Sequence, residues 1–405
     1  MAQKTILMIA RTYYPSNASG AHRPVAFSKY LRLYDWDPIV VCKDYNSERE
    51  STYDRELANK PDACEVIRVR DIQSKILSRL ELLGFTYFGG GEMDYRNPYI
   101  IYQRMLKVAE QIIQNRRIDA IWSTFMPGYP HTIASYLSQK YQIPWVADFR
   151  DLPDQTLKNS QSLYAVKQEM QICANAKALV ACTNELSDML RKRHVIPVHT
   201  ILNGFDPDDY CEREDTFSLD SKFTINYFGI LYSYRSPKVL FQAIDKMIKQ
   251  GIADADDIQV NFYGSNANTV RSFTKGYDCE TCVQVKKRLS YHEMIIVQKR
   301  SQILLLLAPP EQGGAIPAKL YGYLASKRPI LSVPGDGMGS DRILRDTKAG
   351  VSLAECDKIL EWLSNAFAAY KEAGYVPYNG VIKSIDQYSR ISQTQQLADI
   401  LGCVS

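Results

Sequence analysis

Residues 301 to 335 read SQILLLLAPPEQGGAIPAKLYGYLASKRPILSVPG, and three structural patterns follow one another in this stretch. SQILLLLAP is an apolar run of strand length, and AKLYGYLASKR has apolar residues at helical spacing. PILSVPG is a second apolar run, which ends at a Pro-Gly turn signal. A strand, a helix and a strand in this order predict a crossover unit with two parallel strands.

The same alternation continues on both sides of this stretch. Before residue 204 the predicted strands are KTILMIA, DPIVVCK, EVIRVR, DAIWSTF, PWVADFR, ALVACTN and VHTILNG. After it they are FTINYFG, IQVNFYG and the two strands quoted above. The sequence therefore predicts an α/β fold with two doubly wound, Rossmann-like units in tandem. We expect one domain at 1–203, a second at 204–385 and a last helix at 386–405.

Length and composition narrow the class of protein. A chain of 405 residues is too long for one ordinary core and suits two domains. With 45% apolar and 23% charged residues it is typical of soluble globular proteins. The net charge of +4 is too small to indicate a nucleic-acid partner. We find no apolar run of about 18 residues that would span a membrane, and we expect a cytoplasmic protein.

The nine cysteines show no disulfide framework, so reduced thiols are expected. Cys279 and Cys282 form a single CxxC motif. A zinc site of this kind would need a second pair of ligands at suitable spacing, so no metal site is predicted.

Glycines and charges follow several predicted strands, where doubly wound sheets bind their ligands. YYPSNASGAHRP follows the first strand, and a glycine loop before a helix lets backbone N–H groups approach an anion. Gly20 and Arg23 are therefore candidates to lie near a diphosphate. An ordinary connection between a strand and a helix is the alternative.

A second group of charges, Asp148, Arg150 and Asp151, ends the strand PWVADFRD. A carboxylate at this edge could orient a sugar hydroxyl or act on an acceptor proton, and these three residues are the candidate catalytic group. The alternative is a structural ion pair with Arg150.

Two further segments place cations at predicted helix starts. Arg235 and Lys238 follow the strand FTINYFG, where they could hold a leaving diphosphate. Lys319 follows GGAIP at the start of another helix and could also meet a phosphate. For each of them a solvated position on a helix surface is the alternative.

Four blocks together carry a resemblance to a known family. They are YYPSNASGAHRP, IPWVADFRD, ILNGFD with the following YFGILYSYRSP, and GAIPAKLYGYLASKRPIL. In this order and spacing they resemble the family 4 retaining glycosyltransferases of the GT-B type over nearly the whole chain. The resemblance implies two facing Rossmann-like domains with a cleft between them and a last helix that crosses back to the first domain. It also implies an acceptor site mainly on the first domain, a nucleotide-sugar site mainly on the second, and catalysis without a metal or a cofactor other than the donor.

The resemblance assigns further residues to the donor. Gly20, Asn203 and Gly229 match conserved family positions, and Gly264, Ile316, Lys319 and Leu320 are expected at the donor site as well. The family's phosphate-binding arginine is replaced by Ile230, whereas its lysine position is occupied by Arg235. Asp148 or Asp151 would take the place of the family's histidine near the sugar.

Gly322 is the main departure from the family. When the segments are aligned at Pro329, Gly314 and Gly322 occupy the positions of two glutamates, of which the second accepts hydrogen bonds from the ribose in the family. Gly314 is common in a related subgroup, whereas Gly322 is not. Glu311 or the hydroxyls of Tyr321 and Tyr323 could substitute for this carboxylate. If the pocket otherwise follows the family, Gly322→Glu is expected to tighten nucleotide binding.

The leading hypothesis is a glycosyltransferase that moves a sugar from a nucleotide diphosphate sugar to a glycan, glycolipid or lipid-linked acceptor of surface polysaccharide biosynthesis. Peripheral membrane contact is a further hypothesis, based on Phe85, Tyr87 and Phe88 with Arg79 nearby; an ordinary packing loop is its alternative. A weakly active or inactive GT-B homologue that serves as a binding partner remains open, as does a nucleotide-sugar epimerase.

Overall fold

The computed structural model describes residues 3–45, 52–71, 99–126, 128–152, 160–211, 218–308 and 316–405. The chain forms two compact units. The first comprises Met1–Asn203 together with Arg390–Ser405, and the second comprises Gly204–Ser389. The chain therefore returns to the first unit at Arg390, four residues after the start at residue 386 that was expected from the sequence.

The first unit contains a parallel sheet of seven strands in the order β3-β2-β1-β4-β5-β6-β7. These strands are β1 (Lys4–Ile9), β2 (Trp36–Lys43), β3 (Glu65–Val69), β4 (Ala120–Phe125), β5 (Trp145–Phe149), β6 (Ala178–Ala181) and β7 (Val198–Thr200). The order reverses between β1 and β4, so the carboxyl ends of these two strands mark a topological switch point.

Helices connect these strands, as parallel pairing requires. The helices of this unit are α1 (His22–Tyr30), a 3₁₀ helix (Leu31–Tyr34), α2 (Arg55–Ala58), α3 (Tyr99–Asn115), α4 (Tyr129–Tyr141), α5 (Ser160–Cys173) and α6 (Asn184–Arg193). The last helix of the chain, which connects no strands, also belongs to this unit. Buried apolar residues fill both faces of the sheet. On one face Leu397 and Leu401 of the last helix join this core, which explains why Arg390–Ser405 belongs to the first unit.

The second unit contains a parallel sheet of six strands in the order β10-β9-β8-β11-β12-β13. These strands are β8 (Phe223–Phe228), β9 (Ile258–Tyr263), β10 (Val283–Lys286), β11 (Ile303–Leu307), β12 (Ile330–Val333) and β13 (Gly350–Ser352). This is the doubly wound order of a dinucleotide-binding sheet, and its switch point lies between β8 and β11.

The second unit also has 3₁₀ helices at Pro207–Tyr210 and Asp278–Cys282. Its α-helices are α7 (Lys238–Lys249), α8 (Ala267–Thr274), α9 (Tyr291–Arg300), α10 (Lys319–Ala325), α11 (Gly339–Thr347), α12 (Cys356–Ala373) and α13 (Ile382–Asp386). The last helix of the chain, α14 (Arg390–Val404), belongs to the first unit. The quoted stretch 301–335 forms β11, α10 and β12, and β11 pairs in parallel with β12. The crossover unit predicted from the sequence is therefore confirmed.

None of the helices in the described ranges is long and apolar enough to cross a membrane. The aromatic segment with Phe85, Tyr87, Phe88 and Arg79 lies outside the described residues, as do Glu311 and Gly314.

Candidate functional site

The switch point of the second sheet brings together residues from two distant parts of the chain. Gly229 directly follows β8, and Lys319 is the first residue of α10, which follows β11. Because β8 and β11 are neighbours in the sheet, their carboxyl ends open onto the same crevice. A Cβ atom at Gly229 would lie 3.2 Å from Lys319 Nζ, so the ammonium group approaches the backbone at the end of β8.

Gly229 has a left-handed backbone conformation, with φ of 115°, which L-residues with side chains rarely adopt. Its N–H donates to the Tyr263 carbonyl at 2.9 Å, and its carbonyl accepts from Ser265 Oγ at 2.7 Å. Tyr263 and Ser265 flank Gly264 at the end of β9. The backbone at the tips of β8 and β9 is therefore held in one fixed arrangement beside Lys319.

Lys319 lies over an aromatic ring in this crevice. Its Nζ is 3.8 Å from the centre of the Tyr227 ring, a cation–π distance. Burial, followed by the positive charge of Arg235, lowers the pKa of Lys319 from 10.5 to about 7. Among the described residues no carboxylate forms an ion pair with Lys319. An ammonium group with a lowered pKa and without such a counterion is suited to an anionic ligand.

Arg235 is the second cation of the crevice and is placed by two tyrosines. Its guanidinium carbon lies 5.7 Å from the centre of the Tyr232 ring and 5.8 Å from that of Tyr234. The two rings stack on each other with centres 5.4 Å apart and an angle of 13° between their planes. Since the charge of Arg235 lowers the pKa of Lys319, the two cations lie close enough to repel each other. A bound diphosphate would relieve this repulsion.

The other residues predicted to bind the donor differ in their position and in the exposure of their side chains. Gly264 has a positive φ of 79° at the end of β9 and adjoins Gly229 through Ser265. Lys238 is exposed at the first position of α7, and Ile316 is partly buried just before α10. Leu320 is fully buried, so its side chain packs in the core and is not available to a ligand.

Asn203 was also expected at the donor but ends the first unit. Its carbonyl accepts from Gln393 Nε2 of α14 at 2.6 Å. This contact gives Asn203 a part in fixing the last helix to its own unit.

The space beside Gly322 is filled by Tyr210. A Cβ atom at position 322 would lie 2.8 Å from the Tyr210 hydroxyl, closer than real Cβ contacts occur. That hydroxyl donates to Gln298 Oε1 at 3.4 Å, and Gln298 also accepts from Ser326 Oγ at 3.2 Å. The position at which the family resemblance expects a carboxylate therefore faces a phenol that comes from an earlier part of the chain.

Tyr321 and Tyr323 do not supply hydroxyls at this gap. Both side chains are buried, with 1% and 0% exposure. The Tyr323 hydroxyl accepts from the Phe228 N–H at 3.3 Å. The interpretation of these tyrosines as substitutes for the missing carboxylate is therefore not supported, because their side chains belong to the core.

In the first unit Asp148 and Arg23 form a buried ion pair. The Arg23 side chain is 1% exposed and that of Asp148 is 0% exposed, and Arg23 Nη2 lies 2.7 Å from Asp148 Oδ1. Arg23 Nε donates to both carboxylate oxygens at 3.0 Å, and Thr124 Oγ1 donates to Oδ2 at 3.1 Å. Arg23 Nη1 donates to the Leu202 carbonyl at 3.0 Å. The pair therefore ties α1 to β5, and neither side chain is exposed to a ligand.

Arg150 and Asp151 lie nearer the surface at the carboxyl end of β5. Arg150 Nε donates to the Phe125 carbonyl at 2.8 Å, and Nη2 donates to the Met126 carbonyl at 3.1 Å. A Cβ atom at Gly20 would lie 2.6 Å from Arg150 Nη1, so only glycine allows the guanidinium to approach the loop after β1 this closely. Asp151 is exposed. The sequence thus placed Gly20 and Arg150 at one edge, and the structure brings them into contact.

His131 and the two cysteines of the CxxC motif have buried side chains. His131 is fully buried, its Nδ1 lies 2.7 Å from Ser123 Oγ, and burial lowers its pKa to about 3, so it is neutral. Cys279 and Cys282 are both buried as free thiols. Within the described ranges no group of three or more His, Cys, Asp or Glu side chains could hold a metal ion.

No family model matches the chain, and neither does any curated protein. Solved structures are similar to it over nearly its whole length. A glycosyltransferase from Rickettsia africae is 15% identical, with 100% of this chain and 99% of that chain covered and a TM-score of 0.66. HepE of Anabaena, solved with UDP and glucose, is 12% identical, with 99% and 100% covered and a TM-score of 0.65. The lipopolysaccharide outer core galactosyltransferase WaaB is 12% identical, with 98% and 99% covered and a TM-score of 0.57.

The chain has the GT-B fold. The two Rossmann-like parallel sheets predicted from the alternation of strands and helices are confirmed. Within this GT-B fold, sequence reasoning identified Arg235 and Lys319 but missed the aromatic residues that place them, Tyr227, Tyr232 and Tyr234. The segment YFGILYSYR contains all three tyrosines, and their density beside a cation was the available signal.

Proposed function

We propose that the protein is a retaining glycosyltransferase, similar to family 4, that uses a nucleotide diphosphate sugar as its donor. The observation that carries this proposal is the pair of cations, Lys319 and Arg235, at the switch point of the second sheet. A diphosphate carries two neighbouring negative charges, and two cations that repel each other form a complementary site for it. HepE, which is similar in fold, has been solved with UDP and with UDP-glucose, and this supports a donor of that class.

The chemistry of the proposed reaction follows from the charge that develops in it. As the bond between the anomeric carbon and the diphosphate breaks, the electron pair and the negative charge stay on the leaving diphosphate. Cations held in place before the reaction stabilise this charge without reorganisation. Lys319 and Arg235 would fill the role that a metal ion has in other transferases, so we expect transfer without an added metal. Retention of configuration implies attack by the acceptor on the face that the diphosphate leaves.

For the acceptor we propose the carboxyl edge of the first sheet. Arg150 is fixed there by two backbone carbonyls, and Asp151 presents an exposed carboxylate. An exposed carboxylate can accept a hydrogen bond from a sugar hydroxyl and orient it for attack. The acceptor classes we propose are glycans, glycolipids and lipid-linked precursors of a cell-surface polysaccharide, with the protein acting on the cytoplasmic side. The similarity to WaaB, a lipopolysaccharide galactosyltransferase, supports this assignment.

Nucleotide binding tests the donor proposal directly. Wild-type protein is expected to show a rise in melting temperature with at least one of the UDP-, GDP-, ADP- and TDP-sugars. Arg235→Ala should bind that donor about 10- to 100-fold more weakly, the usual effect of losing a charged hydrogen bond. Lys222→Ala is the matched control, because Lys222 is an exposed cation just before β8, at the opposite end of that strand from Gly229. Equal losses in both variants, or no response of the wild type to any donor, would contradict the proposal.

The affinity for the donor is expected to depend on pH through Lys319. Its pKa of about 7 means that the free protein loses this positive charge as the pH rises through 7. Binding of a diphosphate favours the protonated form, so affinity should be highest below pH 7. Above it, affinity should fall by up to about tenfold per pH unit until the pKa of the bound state is passed. Calorimetric titration with UDP-glucose from about pH 6 to about pH 9 measures this, since its diphosphate diester has no proton to lose in that range.

Two variants give the controls for the pH dependence. Lys319→Arg keeps its charge over the whole range and should therefore bind with little dependence on pH. Lys319→Met removes the charge, so it should bind weakly at every pH. A wild-type slope that persists in Lys319→Met would assign the titration to another group.

A weakly active homologue that binds a nucleotide sugar without transferring it is a second candidate. The observation that favours it is Tyr210, which fills the space beside Gly322. Ile230, in place of the arginine of the resembled family, is 56% exposed and adds no charge. Donor binding with neither hydrolysis nor transfer to any acceptor tested would favour this candidate, whereas released UDP would favour the transferase.

A further inference from the structure

The segment that connects β8 to α7 exposes three large apolar side chains beside the candidate donor site. Ile230 is 56% exposed, Tyr232 is 44% exposed and Tyr234 is 60% exposed. Leu231 lies among them but is buried in the core of the second unit, so it anchors the segment. Apolar and aromatic side chains that are left in water close together mark binding surfaces, because covering them is favourable.

Tyr232 and Tyr234 form one stacked pair at this place. Their ring centres are 5.4 Å apart and their planes differ by 13°, the parallel arrangement with offset centres that aromatic pairs prefer. The guanidinium carbon of Arg235 lies 5.7 Å and 5.8 Å from the two ring centres. Tyr234 is the more exposed of the two, and most of its side chain is still open to solvent. Placing Arg235 therefore uses only part of the aromatic surface.

Tyr227 links this stacked pair to Lys319. Its ring centre lies 3.8 Å from Lys319 Nζ, and its hydroxyl donates to the Ile230 carbonyl at 3.1 Å. One residue thus contacts both the lysine of the crevice and the segment that carries the stacked pair. When a diphosphate binds to Lys319 and Arg235, the group attached to it comes within reach of the two rings.

We propose that Tyr232 and Tyr234 are a stacking platform for the pyranose ring of the donor sugar, with Tyr234 against the sugar and Tyr232 behind it. One face of a pyranose carries C–H bonds, which fit the negative face of an aromatic ring, and its hydroxyls stay in water at the edge. A nucleobase also stacks on aromatic rings, but it is apolar on both faces and gains most from a site that covers both. The open ring of Tyr234 offers one face. This inference rests on the proposed function, since it gives the sugar of the proposed donor its position.

Calorimetric titration of the full-length protein with UDP-glucose and with UDP tests the platform, because only the first ligand has a pyranose. Tyr234→Ala is expected to bind UDP-glucose about tenfold more weakly, the usual effect of leaving such an apolar contact in water. Its affinity for UDP should change by less than about threefold. Tyr234→Phe keeps the ring and should bind both ligands like the wild type. GDP-, ADP- and TDP-glucose with their own diphosphates replace the uridine pair if the wild type binds one of them instead.

Tyr375→Ala is the matched control. Tyr375 is an exposed tyrosine of the same unit, and the N–H of the next residue, Val376, donates to Gln302 Oε1 at 3.0 Å. Gln302 directly precedes β11, so this tyrosine lies at the end of the sheet opposite to Gly229. The control should bind UDP-glucose and UDP like the wild type, and melting curves of all variants show that they are folded.

Three results would overturn the platform. They are an equal loss of affinity for UDP-glucose and UDP in Tyr234→Ala, an unchanged affinity for UDP-glucose, and a Tyr234→Phe variant that loses as much as Tyr234→Ala. The first would assign the ring to the nucleobase or to the placement of Arg235, and the third would assign the effect to the hydroxyl. In each case UDP binding by the wild type that is weakened in Arg235→Ala would leave the proposed donor site intact. A wild type that binds no nucleotide would contradict the proposed function and the platform together.

Discussion

Replacing Asp148 by alanine is expected to lower the free energy of unfolding by about 3–5 kcal/mol, the usual cost of removing one partner of a buried ion pair. The Asp148 carboxylate is fully buried and accepts hydrogen bonds from Arg23 and Thr124. Without it the Arg23 guanidinium would stay buried, with the Leu202 carbonyl as its remaining hydrogen-bond acceptor among the described residues and the centre of the Phe27 ring 4.8 Å away. Chemical denaturation at neutral pH measures the loss.

Two control variants separate a structural role of Asp148 from a catalytic one. Arg23→Met combined with Asp148→Leu removes both charges, and apolar replacements of buried ion pairs are often neutral or stabilising. The double variant should therefore recover much of the stability that Asp148→Ala loses. Asp151→Ala removes an exposed carboxylate and should change stability by less than about 0.5 kcal/mol, while lowering transfer. An Asp148→Ala protein that unfolds like the wild type but transfers no sugar would restore Asp148 to the catalytic group.

The positions of the strands along the chain could be predicted wherever an apolar run was long enough to be recognised. The run ILLLL of β11, within the stretch 301–335, predicted a crossover unit with two parallel strands. Such units are compatible with few topologies. β10 and β13 were not predicted. VQVK of β10 has only two apolar residues, and β13 is three residues long, GVS. Short edge strands of this kind carry too little periodicity to be recognised and depend on the sheet that they extend.

The candidate site was predictable in its cations but not in their partners. Arg235 and Lys319 follow glycine-bearing strand ends, which is a local pattern. As the alternative to a catalytic role, the sequence suggested an ion pair with Arg150, two residues away, but the partner of Asp148 is Arg23, which is 125 residues distant in the sequence. Tyr210 is likewise far from Gly322 in the sequence. Contacts between distant segments are set by the packing of the finished sheet, and one sequence read alone does not specify them.

Gly322→Glu is expected to destabilise the protein rather than tighten nucleotide binding, contrary to the expectation from the family resemblance. Any side chain at 322 must displace the Tyr210 hydroxyl, which would lie 2.8 Å from the new Cβ atom. The phenol is held in place, because its ring packs on Phe205 with centres 6.2 Å apart and its backbone carbonyl accepts from Lys299 Nζ at 2.9 Å. Such overpacking costs about 1–3 kcal/mol. Thermal and chemical unfolding of the variant measure this loss, and UDP-glucose titration measures the affinity.

A double-mutant cycle with Tyr210→Phe and Gly322→Ala isolates the contact. Without the hydroxyl, the nearest atoms to a Cβ at 322 are Gln298 Oε1 at 3.5 Å and the Tyr210 ring carbon Cζ at 4.0 Å, both ordinary contacts. In the phenylalanine background Gly322→Ala should therefore gain about 1 kcal/mol, the helix propensity of alanine over glycine. In the wild type this gain should be cancelled or reversed, which gives a coupling energy of about 1–3 kcal/mol. An equal effect of Gly322→Ala in both backgrounds would show that the Tyr210 hydroxyl does not fill this space, and a Gly322→Glu variant of normal stability that binds UDP-glucose more tightly would return the position to ribose recognition.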